Sequence, residues 1–184
     1  MTNTRLPPDR AHLVTEQRNP STMRLHELSV RECVDVIHEE DREVFRAMKR
    51  ADHLLAKLIT AIEPGFVRGG RLIYVGAGTS GRLGVLDASE APPTFQVDPG
   101  KVVGIIAGGD PALRRSSEGK EDDPRGAWSD LESLDLAADD AVIGIAAGGT
   151  TPYVLGALEF CKTKPGEGDR PLTAMLVCAN IQPP

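Results

Sequence analysis

The stretch Gly70-Arg71-Leu72-Ile73-Tyr74-Val75-Gly76-Ala77-Gly78-Thr79-Ser80-Gly81-Arg82 decides the fold. Its first half is a short apolar run closed by glycine, the pattern of a strand buried on both faces. Its second half sets Gly76, Gly78 and Gly81 around two hydroxyl residues, at the turn that opens the next helix. The first N–H groups of a helix have no partner within it and favour an anion, and glycine lets that backbone approach a ligand closely. The turn also matches GxGxxG, the dinucleotide fingerprint, with Asp110 at the end of the next strand as the acid that would meet a ribose. The hydroxyls of Thr79 and Ser80 add side-chain donors and tilt the reading towards a sugar phosphate.

Working outward, three more runs have the same character: Val102 to Ile106, Ala141 to Ile145 and Leu172 to Cys178. Strands are predicted near 72–76, 102–107, 141–146 and 172–178, with crossover helices including 82–89 and 152–162. This β-α-β repetition specifies an α/β fold: a three-layer parallel sheet with helices on both faces. Upstream, residues 1–22 hold Pro7, Pro8 and Pro20 and read as an extended arm. From Ser29 the apolar positions recur at helix spacing. The run Glu39 to Glu43 interrupts them, and a second helical run from Leu54 to Ile62 is stopped by Pro64. The chain therefore divides into an extended and helical arm, 1–55, and the α/β domain, 56–184.

Composition narrows the function. With aromatics at 4 % of 184 residues, the core must be aliphatic and alanine-based. The net charge of −6 argues against a nucleic-acid partner, which calls for a basic stripe. No run approaches the roughly 18 apolar residues of a membrane span, and the first twenty residues lack a signal-peptide core. Cys33, Cys161 and Cys178 have no metal-ligand or CxxC spacing and read as buried thiols of a reducing compartment, the cytoplasm. His12, His26, His38 and His53 precede the sheet without paired spacing and read as structural, so no metal site is expected. Trp128 reads as a core or cover residue.

A second turn, Ala147-Gly148-Gly149-Thr150-Thr151-Pro152, follows the third strand, with Thr151 as helix cap and Pro152 as first helical residue. Both turns leave the carboxyl ends of parallel strands, where open α/β sheets bind ligands. Two acids stand out. Glu90 precedes Pro92-Pro93, which places it at the carboxyl end of the first crossover helix, an electrostatically disfavoured position for a carboxylate that suits a proton donor. Glu118 to Asp123 is an acidic cluster in which Glu118 and Glu121 would share a helix face. Each also fits a solvated surface group.

The blocks Thr15 to Pro20, Gly70 to Gly84, Leu86 to Thr94, Ile106 to Asp110 and Thr151 to Leu158 closely resemble the N-acetylmuramic acid 6-phosphate etherases, from about Thr15 to Cys178. The resemblance implies a sugar isomerase (SIS) fold, a homodimer, a sugar-phosphate substrate and no cofactor. It implies Glu90 as proton donor and Glu121 as the second catalytic glutamate, with Glu118 the lesser candidate. It places Gly76, Gly78, Thr79, Ser80, Gly81, Arg82, Ser89, Gly148, Thr150 and Thr151 around the substrate. The chain departs from the family pattern at Gly148 and Thr150, where the family has serine and arginine, and at Ala91, where it has cysteine. It also stops at Pro184, before a further family motif, and so reads as a fragment or a short form. Two other readings stand beside the lyase: a non-catalytic sugar-phosphate-binding module, and a nucleotide-binding α/β domain in which the block 87–94 would have no role.

Overall fold

The computed structural model describes residues 14–117, 119–163 and 170–179. They form two compact units, one ending at Lys57 and the other beginning at Leu58.

Three short 3-10 turns (Val14–Glu16, Pro20–Thr22, Leu25–Glu27) precede helix α1, Val30–Val67, which begins in the first unit and whose last residues belong to the second. The Asn19 side chain accepts the Ser21 N–H at 2.9 Å and donates to Glu40 at 2.7 Å. Ser29 and Glu32 form a capping box: the Ser29 N–H donates to the Glu32 carboxylate at 2.7 Å, and the Glu32 N–H donates to Ser29 Oγ at 3.3 Å. The Ser29 hydroxyl, donating to the Glu32 carboxylate at 2.6 Å, and the Ser29 N–H together hold that carboxyl below its ordinary range. The helix does not break at Glu39 to Glu43. Glu39 and Glu43 are exposed and pair with cations three positions on, Arg42 and Arg46, while the half-buried Glu40 accepts from Asn19. Nor does Pro64 stop the helix. Its carbonyl still accepts the Arg68 N–H, and the chain leaves the helix only at Gly69, whose φ is +113°.

The second unit carries strands β1 (Leu72–Gly76), β2 (Val102–Ile106), β3 (Ala141–Ala146) and β4 (Leu172–Val177), within a residue of the predicted ranges. They form one sheet in the order β2-β1-β3-β4, and every pair is parallel. Helix α2, Gly78–Phe95, connects β1 to β2. The short helices α3 (Pro111–Arg114) and α4 (Trp128–Ser133) lie between β2 and β3, and α5 (Pro152–Thr163) joins β3 to β4. Alternation along β1 assigns the layers. Tyr74 packs against Gly84 of α2, while Ile73 and Val75 are fully buried with Leu131 of α4 and Val154 and Ala157 of α5. The sheet therefore lies between α2 on one face and α4 with α5 on the other. Trp128 covers this core from its edge, its ring beside Phe160 and its Nε1 donating to the Gly156 carbonyl at 3.1 Å. Of the cysteines, Cys161 is buried, Cys33 half-buried and Cys178 exposed.

At the amino ends of the strands, Asp140 is 2 % exposed and collects four bonds. It accepts the Arg71 N–H at 2.7 Å, the Arg71 guanidinium at 3.1 and 2.6 Å, and the Ala137 N–H at 2.9 Å. Burial pushes the carboxyl up, but these partners outweigh it and hold it below the usual carboxylate range. Asp140→Ala should lower the unfolding free energy by about 2–4 kcal/mol, read as a fall in the urea midpoint. That is less than the loss for a fully buried pair, because the 26 %-exposed Arg71 can rehydrate. A depressed folded-state value makes this stabilisation complete above about pH 4 and lost as pH falls through it. The wild-type stability should therefore drop below that pH more steeply than that of Asp140→Ala.

Candidate functional site

The turn after β1 is built by the absence of side chains. A Cβ at Gly76 would stand 2.6 Å from the Gly81 nitrogen, and a Cβ at Gly81 would stand 2.7 Å from the Gly76 oxygen. Only two glycines let the strand end and the first turn of α2 approach this closely. Gly78 opens the helix at φ +55°, a left-handed conformation that favours glycine. The free N–H groups of α2 thus begin directly at the carboxyl edge of the sheet.

A cleft of about 170 Å3 lies there, lined by Ala77, Gly78, Arg82, Ala107, Ala112, Ser116, Ser117 and Glu121. Its wall is alanine, and its polar groups are one guanidinium, two hydroxyls and one carboxylate. Arg82 also donates to the Arg115 carbonyl at 3.5 Å, which ties α2 to the segment carrying both serines. Ser117 sits where a side chain on Gly108 would be: a Cβ there would meet Ser117 Oγ at 2.7 Å, and Gly108 itself has φ +88°. Glu121 is held from behind, its carbonyl accepting the Tyr153 N–H of α5 at 3.0 Å. Residues far apart in sequence, Gly78 and Glu121, thereby share one cleft.

The other sequence candidates fall as follows. Gly76 and Gly81 are buried in the turn, Ser80 is half-buried and Thr79 exposed. Gly148, Thr150 and Thr151 lie beyond the carboxyl end of the adjacent strand β3, on the same edge of the sheet. The Thr151 carbonyl accepts the Val154 and Leu155 N–H groups, and α5 begins at Pro152, the capping arrangement expected. Ser89 is exposed and donates to the Leu86 carbonyl at 2.8 Å. Glu118 lies outside the described residues.

Glu90 is not among the residues lining this cleft. Helix α2 does not end at Pro92-Pro93 but continues to Phe95, where Gln96 caps it in a left-handed conformation and donates to the Pro92 carbonyl at 2.9 Å. Prolines remove donors without removing acceptors, so the last turn still closes. Glu90 stands twelve positions after Gly78, about 18 Å along the axis at 1.5 Å per residue.

Ser116 and Ser117 are the lining residues that motif reading missed. The signal available was the pair Gly108-Gly109, which marks a backbone that something approaches. A larger open groove of about 520 Å3, between α5 and β4, takes none of the glycine-turn residues. Among the described residues no helix is long and apolar enough to cross a membrane.

Comparison with known proteins gives two results. Residues 54–162 match the family described as the glucokinase regulatory protein N-terminal SIS domain. The chain is also similar to proteins named N-acetylmuramic acid 6-phosphate etherase. One from Caldanaerobacter subterraneus subsp. tengcongensis is 55 % identical over 150 residues, 82 % of this chain and 49 % of that protein. One from Gloeobacter violaceus is 53 % identical over 159 residues, 86 % and 52 % of the two chains. One from Thermosynechococcus vestitus is 48 % identical over 182 residues, 99 % of this chain and 58 % of that protein. The chain spans about half the length of the curated relatives it matches.

The glycine contact predicts a contrast. Gly81→Ala forces strand and helix apart and should cost about 1–3 kcal/mol of stability, as overpacking does. Thr79→Ala, two residues away but exposed, should stay within about 0.5 kcal/mol of wild type in the same urea titration.

Proposed function

The chain belongs to the SIS-domain family represented by the glucokinase regulatory protein N-terminal domain, and on that premise we propose that it is a carbon–oxygen lyase acting on a sugar phosphate. The substrate of this reading is N-acetylmuramic acid 6-phosphate, and the products are N-acetylglucosamine 6-phosphate and D-lactate. The observation that carries it is the similarity over 182 residues, 99 % of this chain and 58 % of its match, to a protein named for that etherase activity. The arrangement of Gly78, Arg82 and Glu121 around one cleft supports it.

The chemistry needs only proton transfers. Opening of the sugar ring exposes an aldehyde at carbon 1, which acidifies the hydrogen on carbon 2. Glu121 removes that proton. Glu90 protonates the lactyl oxygen on carbon 3 as its bond to carbon breaks, and D-lactate leaves. Water then adds to the unsaturated aldehyde at carbon 3, and carbon 2 regains a proton. Each carboxyl group, as base or acid, contributes on the order of 10²–10⁴ in rate. The α2 N–H groups of the Gly76–Gly81 turn hold the phosphate, with Thr79, Ser80 and Arg82 beside them, and Ser89, Gly148, Thr150 and Thr151 complete the surround. Residues 56–184 form the SIS domain of this reading and 1–55 its helical arm. It acts in the cytoplasm as a homodimer.

Substitution separates the two roles. Glu121→Gln should abolish exchange of the carbon 2 hydrogen with solvent deuterium, followed by NMR. Glu90→Gln should keep part of that exchange while lactate release falls by about 10²–10⁴. Both should retain sugar-phosphate binding. Lactate release by Glu90→Gln at the wild-type rate would place the acid elsewhere. Binding by the wild-type chain with neither exchange nor release would make it a binding module and end the lyase reading.

A further inference from the structure

The proposed reaction creates a charge that no residue assigned so far receives. When Glu121 takes the proton from carbon 2, the electron pair of that C–H bond becomes a double bond to carbon 1. The carbonyl pair of the aldehyde moves onto its oxygen. This enolate oxygen lies two bonds from the carbon that Glu121 deprotonates, so its donor must stand in the same cleft as Glu121. Preorganised donors aimed at developing charge are usually the largest single contribution to a step of this kind.

The cleft lining leaves one pair of groups for the task. Its three alanines carry no side-chain donor, Glu121 is the base, and Arg82 stands beside the phosphate with the start of α2. Ser116 and Ser117 remain. The local backbone carries them to the base. The Lys120 N–H donates to the Ser117 carbonyl at 3.2 Å, a turn that brings the chain back towards the serines just before Glu121. Arg82 Nη2 donates to the Arg115 carbonyl at 3.5 Å and holds the segment from its other end. Ser117 Oγ packs into the space over Gly108, 2.7 Å from where a Cβ of that residue would stand. The Glu121 carbonyl accepts the Tyr153 N–H at 3.0 Å. Base and hydroxyls therefore sit on one short segment that is tied down at Arg115, Ser117 and Glu121.

We propose that Ser116 and Ser117 are catalytic residues whose hydroxyls donate to the carbon 1 oxygen as the enolate forms, with Arg82 a positioning residue acting through Arg115. This assignment rests on the lyase reading. In the second half of the step the oxygen pair returns and the carbonyl re-forms. The pair between carbons 1 and 2 moves to join carbons 2 and 3, and the lactyl oxygen leaves with the pair of its broken bond and takes a proton. Both serines keep their own protons throughout.

The reaction product separates enolate formation from elimination, since N-acetylglucosamine 6-phosphate has the carbon 2 hydrogen but no lactyl group. Exchange of that hydrogen with solvent deuterium, followed by NMR, is measured beside lactate release from the substrate. The Ser116→Ala/Ser117→Ala double variant should lower kcat for both by about 10²–10³ and leave KM near the wild-type value. Ser116→Thr, which keeps a hydroxyl, should retain most of the rate. The urea midpoint of the double variant should stay near wild type, since Ser116 is exposed and Ser117 half-buried. A double variant that matches an active wild type in exchange and release overturns the proposal and leaves the lyase reading standing. A raised KM with unchanged kcat overturns it as well, because the serines then bind ground state and transition state alike. A wild type that neither exchanges nor releases lactate overturns the lyase reading and this assignment with it.

Discussion

At the carboxyl end of β1 two stretches of backbone pass so close that neither can carry a side chain. The Gly76 carbonyl lies under the first turn of α2, and Gly81 presses from above. The consequences run outward from that contact. The free N–H groups of α2 begin at the sheet edge instead of several ångströms beyond it, and the Ala107 N–H reaches the Gly76 carbonyl at 3.0 Å, drawing in the end of β2. Beyond Ala107 the chain turns through Gly108, and the space where a side chain would stand is filled by Ser117. The cleft is thus a product of missing atoms, and its polar lining arrives because the backbone leaves room for it.

The two ends of the sheet divide the work. At the amino ends, Arg71 and Asp140 lock β1 to the chain entering β3 with a buried, fully partnered carboxylate. Such a group contributes to register as much as to stability, since one residue of slip would leave a buried charge without partners. At the carboxyl ends the partners are looser: Glu121, Thr150 and Ser116 are all exposed. This chain has Gly148 and Thr150 where the etherase pattern has serine and arginine. The cleft nonetheless holds a cation and two hydroxyls, from Arg82, Ser116 and Ser117.

The sheet was legible because its signals are local. Each strand is a short apolar run closed by glycine or by a turn, and its continuous apolar character marks it without any alternation. The lengths of α1 and α2 were not legible, because proline and a run of acids look like stops when read one residue at a time. Pro64 and Pro92 each lose one donor, but their carbonyls still accept from Arg68 and Gln96, so the last turns survive. The acids of α1 are not a break because the helix surface brings Glu39 and Glu43 within reach of Arg42 and Arg46, and Glu40 accepts from Asn19. Ser116 and Ser117 were missed for a different reason. They reach the cleft only through the positive φ of Gly108 and the tether from Arg82, neither of which a spacing rule contains.

Glu90 shows the limit of reading proximity from sequence. It lies near the glycine turn in number, and a loop of twelve residues could fold back on itself. A helix cannot: it converts sequence separation into distance at a fixed rate, so a rigid α2 holds the two candidate acids apart.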